Sequence, residues 1–138
     1  MTDLDRFLVA QHGTDDGVLG ELRRGRKTGH WIWFVLPQIA GLGRRATSQL
    51  FALASLDESR AYLAHPVLDA TVRECAGLVR AIPDRTAVEI LGEIDALKQR
   101  SSVTIFHRAD PDEPVFRWVL DRFHGGDADE ATVRMLAG

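Results

Sequence analysis

The sequence has a single cysteine, no long apolar run and no excess of positive charge. One cysteine among 138 residues forms no internal disulfide, and the paired cysteines of a zinc ribbon are absent. No apolar run approaches the roughly 18 residues that a transmembrane helix needs. The net charge is −3, from 17 basic and 20 acidic residues, which excludes a simple polybasic nucleic-acid binder. The acidic start MTDLDRF lacks the basic region of a signal peptide, so we expect a cytoplasmic protein.

Common catalytic and metal-binding motifs are also missing. The five histidines contain no pair at i,i+3 or i,i+4 spacing, so the sequence has no local metal motif. Neither a G-x-S-x-G motif nor a P-loop occurs. Residues 41–46 fit G-x-G-x-x-A, but Pro37 interrupts the preceding strand that a dinucleotide site requires. We therefore predict a turn at these glycines, no metal and no cofactor.

Apolar spacing predicts helices throughout the chain. Residues 66–82 carry a wide apolar stripe of helical period, which begins at Pro66 and is predicted to bury Cys75. A similar stripe from Val115 to Phe123 ends at two glycines. Residues 94–106 are also predicted to be helical, although β-branched residues near their end would fit an extended segment. We predict one all-α domain, residues 1–138, of about seven or eight short helices.

Capping signals mark where several of these helices begin. The capping-box pattern, in which a Ser, Thr or Asp precedes a Glu by three positions, occurs three times: Ser55–Glu58, Thr86–Glu89 and Asp127–Glu130. In each box the first side chain accepts a hydrogen bond from an amide of the first turn, while the glutamate reaches back to the cap. We therefore predict helix starts at all three positions.

Residues 27–43 (KTGHWIWFVLPQIAGLG) differ from ordinary core sequence. Trp31 and Trp33 would lie about 200° apart on a helix, so both cannot face one core. Pro37 should end or kink the helix and leave a backbone carbonyl without its helical partner. The segment is either a buried central helix with a capped end or the wall of a ligand pocket, and the sequence leaves both interpretations open.

The charges are unevenly distributed. Residues 20–50 contain six basic residues and one acidic residue, whereas residues 110–138 contain seven acidic and three basic residues. This asymmetry fits ordinary solvated helix faces. It equally fits a positively charged side of the protein that attracts an anion.

Lys27, the run HWIWFVLPQ at 30–38 and GLG at 41–43 resemble the signature of the domain-of-unknown-function 1810 family of bacterial proteins. The similarity extends over nearly the whole chain, through SLDESRAYLAHPVL at 55–68, SSVTIF at 101–106 and FHGGDADEAT at 123–132. The resemblance implies a small all-α domain with no established activity. Some members carry a calpastatin label, which conflicts with the folded core predicted here. The family pattern singles out polar and aromatic positions: Lys27, His30, Trp31, Trp33, Pro37, Gln38, Tyr62, His65, Asp95, Lys98, Ser101 and Ser102.

Two functional hypotheses follow. The first is a pocket for a small anionic, nucleotide-like ligand, with or without turnover. Its charge, hydrogen bonds and stacking face would come from Lys27, Lys98, Arg100, Gln38, Ser101, Ser102, Trp31 and Trp33. His30 is the candidate general acid or base, because histidine titrates nearest to neutrality. This hypothesis expects the segments 27–38 and 98–102 to approach each other.

The second hypothesis is a helical interaction module, in which exposed aromatic residues and the basic stretch bind a protein partner. A concave polar pocket at His30 would favour the first hypothesis, and a flat apolar patch over a buried His30 would favour the second.

Overall fold

The computed structural model describes residues 4–12, 15–29, 31–40, 49–82 and 84–137, without the side chains of Asp15, Asp16 and Trp33. In chain order its helices are α1 (Asp5–Gln11), α2 (Asp15–Arg23), α3 (Ile32–Val35), α4 (Leu56–Ala64), α5 (Pro66–Arg80), α6 (Ala87–Leu91), α7 (Glu93–Ala109), α8 (Pro114–His124) and α9 (Glu130–Ala137). Extended pairing among these residues is limited to one isolated bridge between Ile39 and Leu53. The all-α prediction is confirmed.

The long apolar stripes form the helices predicted for them. Pro66 occupies the first turn of α5, where its missing N–H costs nothing, and His65 caps the helix by accepting from the Val67 amide at 3.2 Å. Helix α7 runs straight through residues 103–105. These β-branched residues are at most 4% exposed, so burial outweighs their weak preference for extended backbone.

The capping boxes at residues 55 and 86 differ in completeness. Thr86 and Glu89 form the full reciprocal box, with bonds of 3.1 and 2.9 Å. The Glu58 amide donates to Ser55 Oγ at 3.1 Å, as predicted, but the Glu58 carboxylate is used elsewhere. It accepts from the Ala54 amide at 2.9 Å and from the Arg6 guanidinium at 2.8 Å. The carboxylate thus ties the start of α4 to α1.

The prediction that Asp127 and Glu130 form a third box is wrong. Helix α9 begins at Glu130, so Asp129 precedes it directly, and its Oδ2 accepts from the Thr132 amide at 3.0 Å. The Asp127 carbonyl instead accepts from Arg100 Nε at 2.9 Å. The aspartate closest to the first turn takes the cap, because its carboxylate reaches the third amide without distortion.

Helix α5 contributes to both hydrophobic clusters of the core. Leu68 and Val72 lie in a cluster built around Tyr62, Phe106 and Phe116, which joins α4, α5, α7 and α8. The C-terminal half of α5 places Cys75 and Val79 in a second cluster, which Ile82 joins just after the helix and which includes buried residues of α2 and α3. No helix among the described residues is long and apolar enough to cross a membrane.

Cys75 is buried, as predicted, with 2% of its surface exposed. We expect Cys75→Ser to lower the free energy of unfolding by about 1–3 kcal/mol, because the hydroxyl would enter an apolar cluster. Urea unfolding of the variant and the wild type measures this loss. A thiol reagent should label the native wild-type protein slowly, and rapid labelling would contradict the burial.

Candidate functional site

Charged side chains from separate parts of the chain meet at the first turns of α7. Lys27, between α2 and α3, places its Nζ 2.7 Å from Asp95 Oδ2, and Lys98 Nζ lies 3.6 Å from Asp95 Oδ1. The three side chains are 6%, 18% and 13% exposed for Lys27, Asp95 and Lys98. Glu21 of α2 lies close by, since its carboxylate and the Lys27 ammonium both contact Gly29. We call Glu21, Lys27, Asp95 and Lys98 the charge cluster.

Backbone geometry explains how Lys27 reaches α7. Helix α2 ends at Arg23, and Gly25 adopts a left-handed conformation (φ 75) that turns the chain. The Lys27 amide then donates to the Ile90 carbonyl at 2.7 Å, which fixes this segment against the end of α6. Lys27 therefore lies in an irregular connection between α2 and α3 and not on a helix. His30 itself lies outside the described residues.

Glu21 is the hydrogen-bonding centre of this connection. Its Oε1 accepts from the amides of Thr28 (2.5 Å) and Gly29 (2.8 Å) and from Trp31 Nε1 (3.0 Å). Burial alone would raise the pKa of Glu21, but these three donors and the nearby Lys27 charge outweigh burial and lower it. A Cβ at position 29 would lie 3.0 Å from Glu21 Oε2, so the close approach needs glycine. Sequence reasoning missed Glu21, although it is the one acidic residue of the basic stretch.

The lysines outnumber the carboxylates at the α7 end of the cluster. Lys27 and Lys98 share the single carboxylate of Asp95, while the Glu21 oxygen nearest the connection is engaged by three N–H donors. Lys27 Nζ also lies 5.2 Å from the centre of the Trp31 ring. Taking such charges out of water costs several kcal/mol per ion unless partners compensate.

The remaining predicted site residues are placed differently. Ser101 and Ser102 lie inside α7 and are 3% and 0% exposed, and Trp31 is 4% exposed beneath Lys27. Gln38 is half-buried, and its backbone carbonyl accepts from the Leu53 amide at 2.8 Å. Trp33 belongs to α3, but its side chain is outside what the structure describes.

Arg100 does not join the charge cluster. Its Nε donates to the Asp127 carbonyl at 2.9 Å and its Nη2 to the Ala128 carbonyl at 3.1 Å. The guanidinium thus fastens α7 to the loop before α9. Arg100 was predicted to supply charge together with Lys98, but the two side chains leave the helix about 200° apart.

The carbonyls at the end of α3 have partners that the sequence did not suggest. The helix ends at Val35, two residues before Pro37, as the proline predicts. Gln11 Nε2 donates to the Phe34 carbonyl at 2.7 Å, and the Tyr62 hydroxyl lies 3.3 Å from the same oxygen. Side chains of α1 and α4 thus contact the carbonyl oxygen at the end of α3.

His124 is a second polar group packed against α7. Its Nε2 lies 2.8 Å from Oε1 of Gln99, which is only 2% exposed. Burial, with a smaller contribution from the charge of Arg100, lowers the pKa of His124 to about 4. The imidazole is therefore neutral at pH 7 and suited to the Gln99 contact.

This shift predicts a pH-dependent stability. In the unfolded protein, His124 binds a proton once the pH falls below its ordinary pKa of 6.5. In the folded protein, it binds that proton only near its lowered pKa of about 4. Stability from the neutral imidazole is therefore complete above pH 6.5 and is lost as the pH falls toward 4. We expect the free energy of unfolding to drop less between pH 7 and 4.5 in His124→Gln than in the wild type. His12→Gln, at an exposed position, is the control and should follow the wild type. If the free energy of unfolding falls equally with pH in His124→Gln and in the wild type, the lowered pKa of His124 would be refuted.

Within the described ranges, no three His, Cys, Asp or Glu side chains are grouped so that they could hold a metal ion. The charge cluster itself presents ammonium and carboxylate groups beside the buried indole of Trp31.

The fold and the charge cluster define a small all-α protein with a nearly buried group of charged side chains. The family model described as "Protein of unknown function (DUF1810)" matches residues 1–136, so the chain belongs to that family and the resemblance is confirmed. The chain is also similar to the conserved hypothetical protein Rv1873 from Mycobacterium tuberculosis, whose crystal structure was determined at 1.38 Å. The two are 43% identical, with a TM-score of 0.97, over 99% of this chain and 97% of the other. No curated protein matches.

Proposed function

We propose that the charge cluster is the binding site for a small anionic ligand. The observation that carries this proposal is that two nearly buried lysines, from segments far apart in the sequence, share one carboxylate. Together with Glu21, these side chains place two ammonium groups and two carboxylates in one nearly buried site. A carboxylate or phosphate of a ligand would accept charge-assisted hydrogen bonds from the two ammonium groups.

The difference between the two ion pairs indicates where the anion would bind. Lys27 is held at 2.7 Å from Asp95, by a direct bond, whereas Lys98 lies at 3.6 Å, beyond normal hydrogen-bond length. An anion would therefore contact Lys98 more readily than Lys27, whose ammonium is bonded directly to Asp95. Lys98 also lies on a regular helix, which fixes the direction of its approach.

Stability alone is a weak reason for such a cluster. Well-packed apolar residues of similar volume often stabilise a fold as well as a buried ion pair does, or better. Charges held in a nearly buried position are therefore a functional-site hypothesis with a physical basis.

The proposal gives each of the other predicted residues a role of its own. His30 follows Gly29, which contacts both Lys27 and Glu21, so we propose it as the general acid or base if the ligand is turned over. Gln38, Trp33, Ser101 and Ser102 stay proposed contributors of hydrogen bonds or stacking. The contacts favour Lys27 and Lys98 over Arg100, whose guanidinium is engaged with backbone carbonyls. A cytoplasmic location remains part of the proposal.

A second candidate function is supported by one surface. Val88 of α6 and Ile94 and Leu97 of α7 are 49%, 66% and 63% exposed. Ile94 and Leu97 are three positions apart and thus share a helix face. Exposed apolar groups of this kind favour the interaction-module hypothesis.

Native mass spectrometry of the protein as purified tests the first proposal. The wild type should retain a small anionic molecule, and Lys98→Gln should lose it. Arg134→Gln, which removes an exposed cation from α9, is the matched control and should retain it. A wild type without any retained molecule, or one that Lys98→Gln retains equally, would contradict the proposal. A wild type that is ligand-free but dimeric, and becomes monomeric as Leu97→Asp, would support the interaction module instead.

A further inference from the structure

Three arginines surround a surface pocket that the proposed function does not use. The pocket has a volume of about 440 Å³ and lies where the C-terminal ends of α2 and α5 meet the segment before α6. Its size falls within the range of about 300–1,000 Å³ that small-molecule sites occupy. It is lined by Leu22, Arg23, Arg24, Gly25, Leu78, Ala81, Ile82 and Arg85. We call it the arginine pocket.

The arginine pocket combines an apolar floor with a cationic rim. Leu22 and Ile82 belong to the second core cluster and are 1% and 9% exposed, so the floor is continuous with the core. Gly25 brings the rim together, because its left-handed backbone turns the chain and places position 25 next to Arg85. A Cβ there would lie 3.5 Å from both Cδ and Nε of Arg85.

The guanidinium groups of the rim are poorly neutralised by the protein. Those of Arg24 and Arg85 make no hydrogen bond or ion pair with the described part of the chain, and that of Arg23 lies 4.0 Å from a half-exposed Glu74. Arg122 adds a further guanidinium at the edge, by donating to the Arg85 carbonyl at 3.3 Å.

The negative groups nearby do not balance this charge. Glu89 interacts electrostatically with Arg85 and Glu74 lies 4.0 Å from Arg23, so two exposed carboxylates accompany the three arginines of the pocket. The carbonyl ends of α2 and α5 together supply only about one negative charge. Those helix ends explain why arginines gather here, but several like charges around one concavity still repel one another. A bound anion would remove that repulsion.

We propose that the arginine pocket binds an organic phosphate, meaning a phosphorylated small molecule with an apolar part. Guanidinium groups form bidentate, charge-assisted bonds to phosphate oxygens, and a doubly charged phosphate matches several arginines better than a single carboxylate does. The phosphate contacts Arg24 and Arg85, and the apolar part lies on Leu22, Leu78 and Ile82. The site shares no side chain with the charge cluster, so the two proposals stand or fall separately.

Calorimetric titration with phenyl phosphate and with inorganic phosphate tests this site. Phenyl phosphate should bind at least about tenfold more tightly than inorganic phosphate, because only its ring covers the apolar floor. Arg24→Gln and Arg85→Gln should each weaken phenyl phosphate binding about tenfold or more. All affected side chains are exposed, so the variants should fold, which circular dichroism verifies.

Matched controls locate the binding. Arg134→Gln removes an exposed arginine elsewhere, and Lys98→Gln removes a cation of the charge cluster, so both should bind phenyl phosphate like the wild type. The proposal is overturned if phenyl phosphate does not bind, if both arginine-pocket variants bind it unchanged, or if Lys98→Gln abolishes binding. Equal affinity for phenyl and inorganic phosphate would overturn the assignment of the apolar floor.

Discussion

Replacing Asp95 by asparagine is expected to lower the free energy of unfolding by about 3–5 kcal/mol. The substitution keeps the shape of the side chain but removes the carboxylate that Lys27 and Lys98 share. Both ammonium groups are then left nearly buried without their counter-charge. Removing one partner of a buried ion pair is costly because the remaining charge has lost its interaction with water and gained nothing in return.

Urea unfolding followed by circular dichroism measures this loss. Asp57→Asn is a matched control, because Asp57 also lies in a first helical turn but its side chain is 90% exposed. Both substitutions weaken the favourable interaction with the helix dipole to the same small extent. We expect the control to lose less than about 1 kcal/mol. If Asp95→Asn also loses less than about 1 kcal/mol, the two lysine side chains must reach solvent when Asp95 is replaced, which would contradict their burial.

Replacing Glu21 by alanine should cost about 3–4 kcal/mol, because it leaves several donors without an acceptor. The amides of Thr28 and Gly29 and the Trp31 indole all donate to the same carboxylate oxygen. Trp31 is 4% exposed, so water cannot readily replace the lost bond there. The connection between α2 and α3 would become less ordered, and Lys27 would be held less firmly beside Asp95.

The control for Glu21 is Glu74→Ala, on the neighbouring helix α5. Glu74 is 51% exposed and makes only a 4.0 Å contact with Arg23, so its loss should change stability by less than about 0.5 kcal/mol. A Glu21→Ala variant as stable as this control would contradict the assigned hydrogen bonds.

The lowered pKa of Glu21 adds a pH dependence of known sign. Its stabilisation is present above the ordinary pKa of 4.5 and is lost as the pH falls through the lowered, folded-state pKa. Glu21→Ala should therefore lose stability less steeply than the wild type in acid.

Local signals in the sequence predicted most of the fold. The stripe of 66–82 and the start at Pro66 correspond to α5, and the break at Pro37 corresponds to the end of α3 at Val35. These predictions succeeded because period and capping are properties of neighbouring residues. The Asp127 cap failed because a second aspartate, Asp129, competes for the same turn, and only the folded chain decides between them.

The candidate site was predicted less completely. Lys27, Lys98 and Asp95 were named from the family resemblance, and the structure brings them within ion-pair distance. Glu21 was missed because its role depends on a turn that folds three donors back onto α2. Arg100 was predicted to contribute charge with Lys98, but it contacts the loop before α9. Residues two apart on a helix point toward different neighbours.

The arginine pocket shows the same limit. The basic stretch at 20–50 was visible in the sequence and includes Arg23 and Arg24, but its two interpretations could not be separated. Arg85 is distant in the sequence and reaches these arginines only through the packing of α2 on α5. Long-range packing, which pattern and propensity do not encode, determines whether scattered charges become a site.

The most direct test of the central claim, that the charges of the cluster serve binding and not folding, is urea unfolding of one triple variant. Lys27→Met, Asp95→Leu and Lys98→Met together replace the shared ion pair by apolar side chains of similar volume and leave the Glu21 hydrogen bonds in place. The free energy of unfolding should stay within about 1 kcal/mol of the wild type or exceed it, because the three charges of the shared ion pair then no longer have to be desolvated. A loss of about 3 kcal/mol or more would contradict the claim, since the cluster would then be required for the stability of the fold.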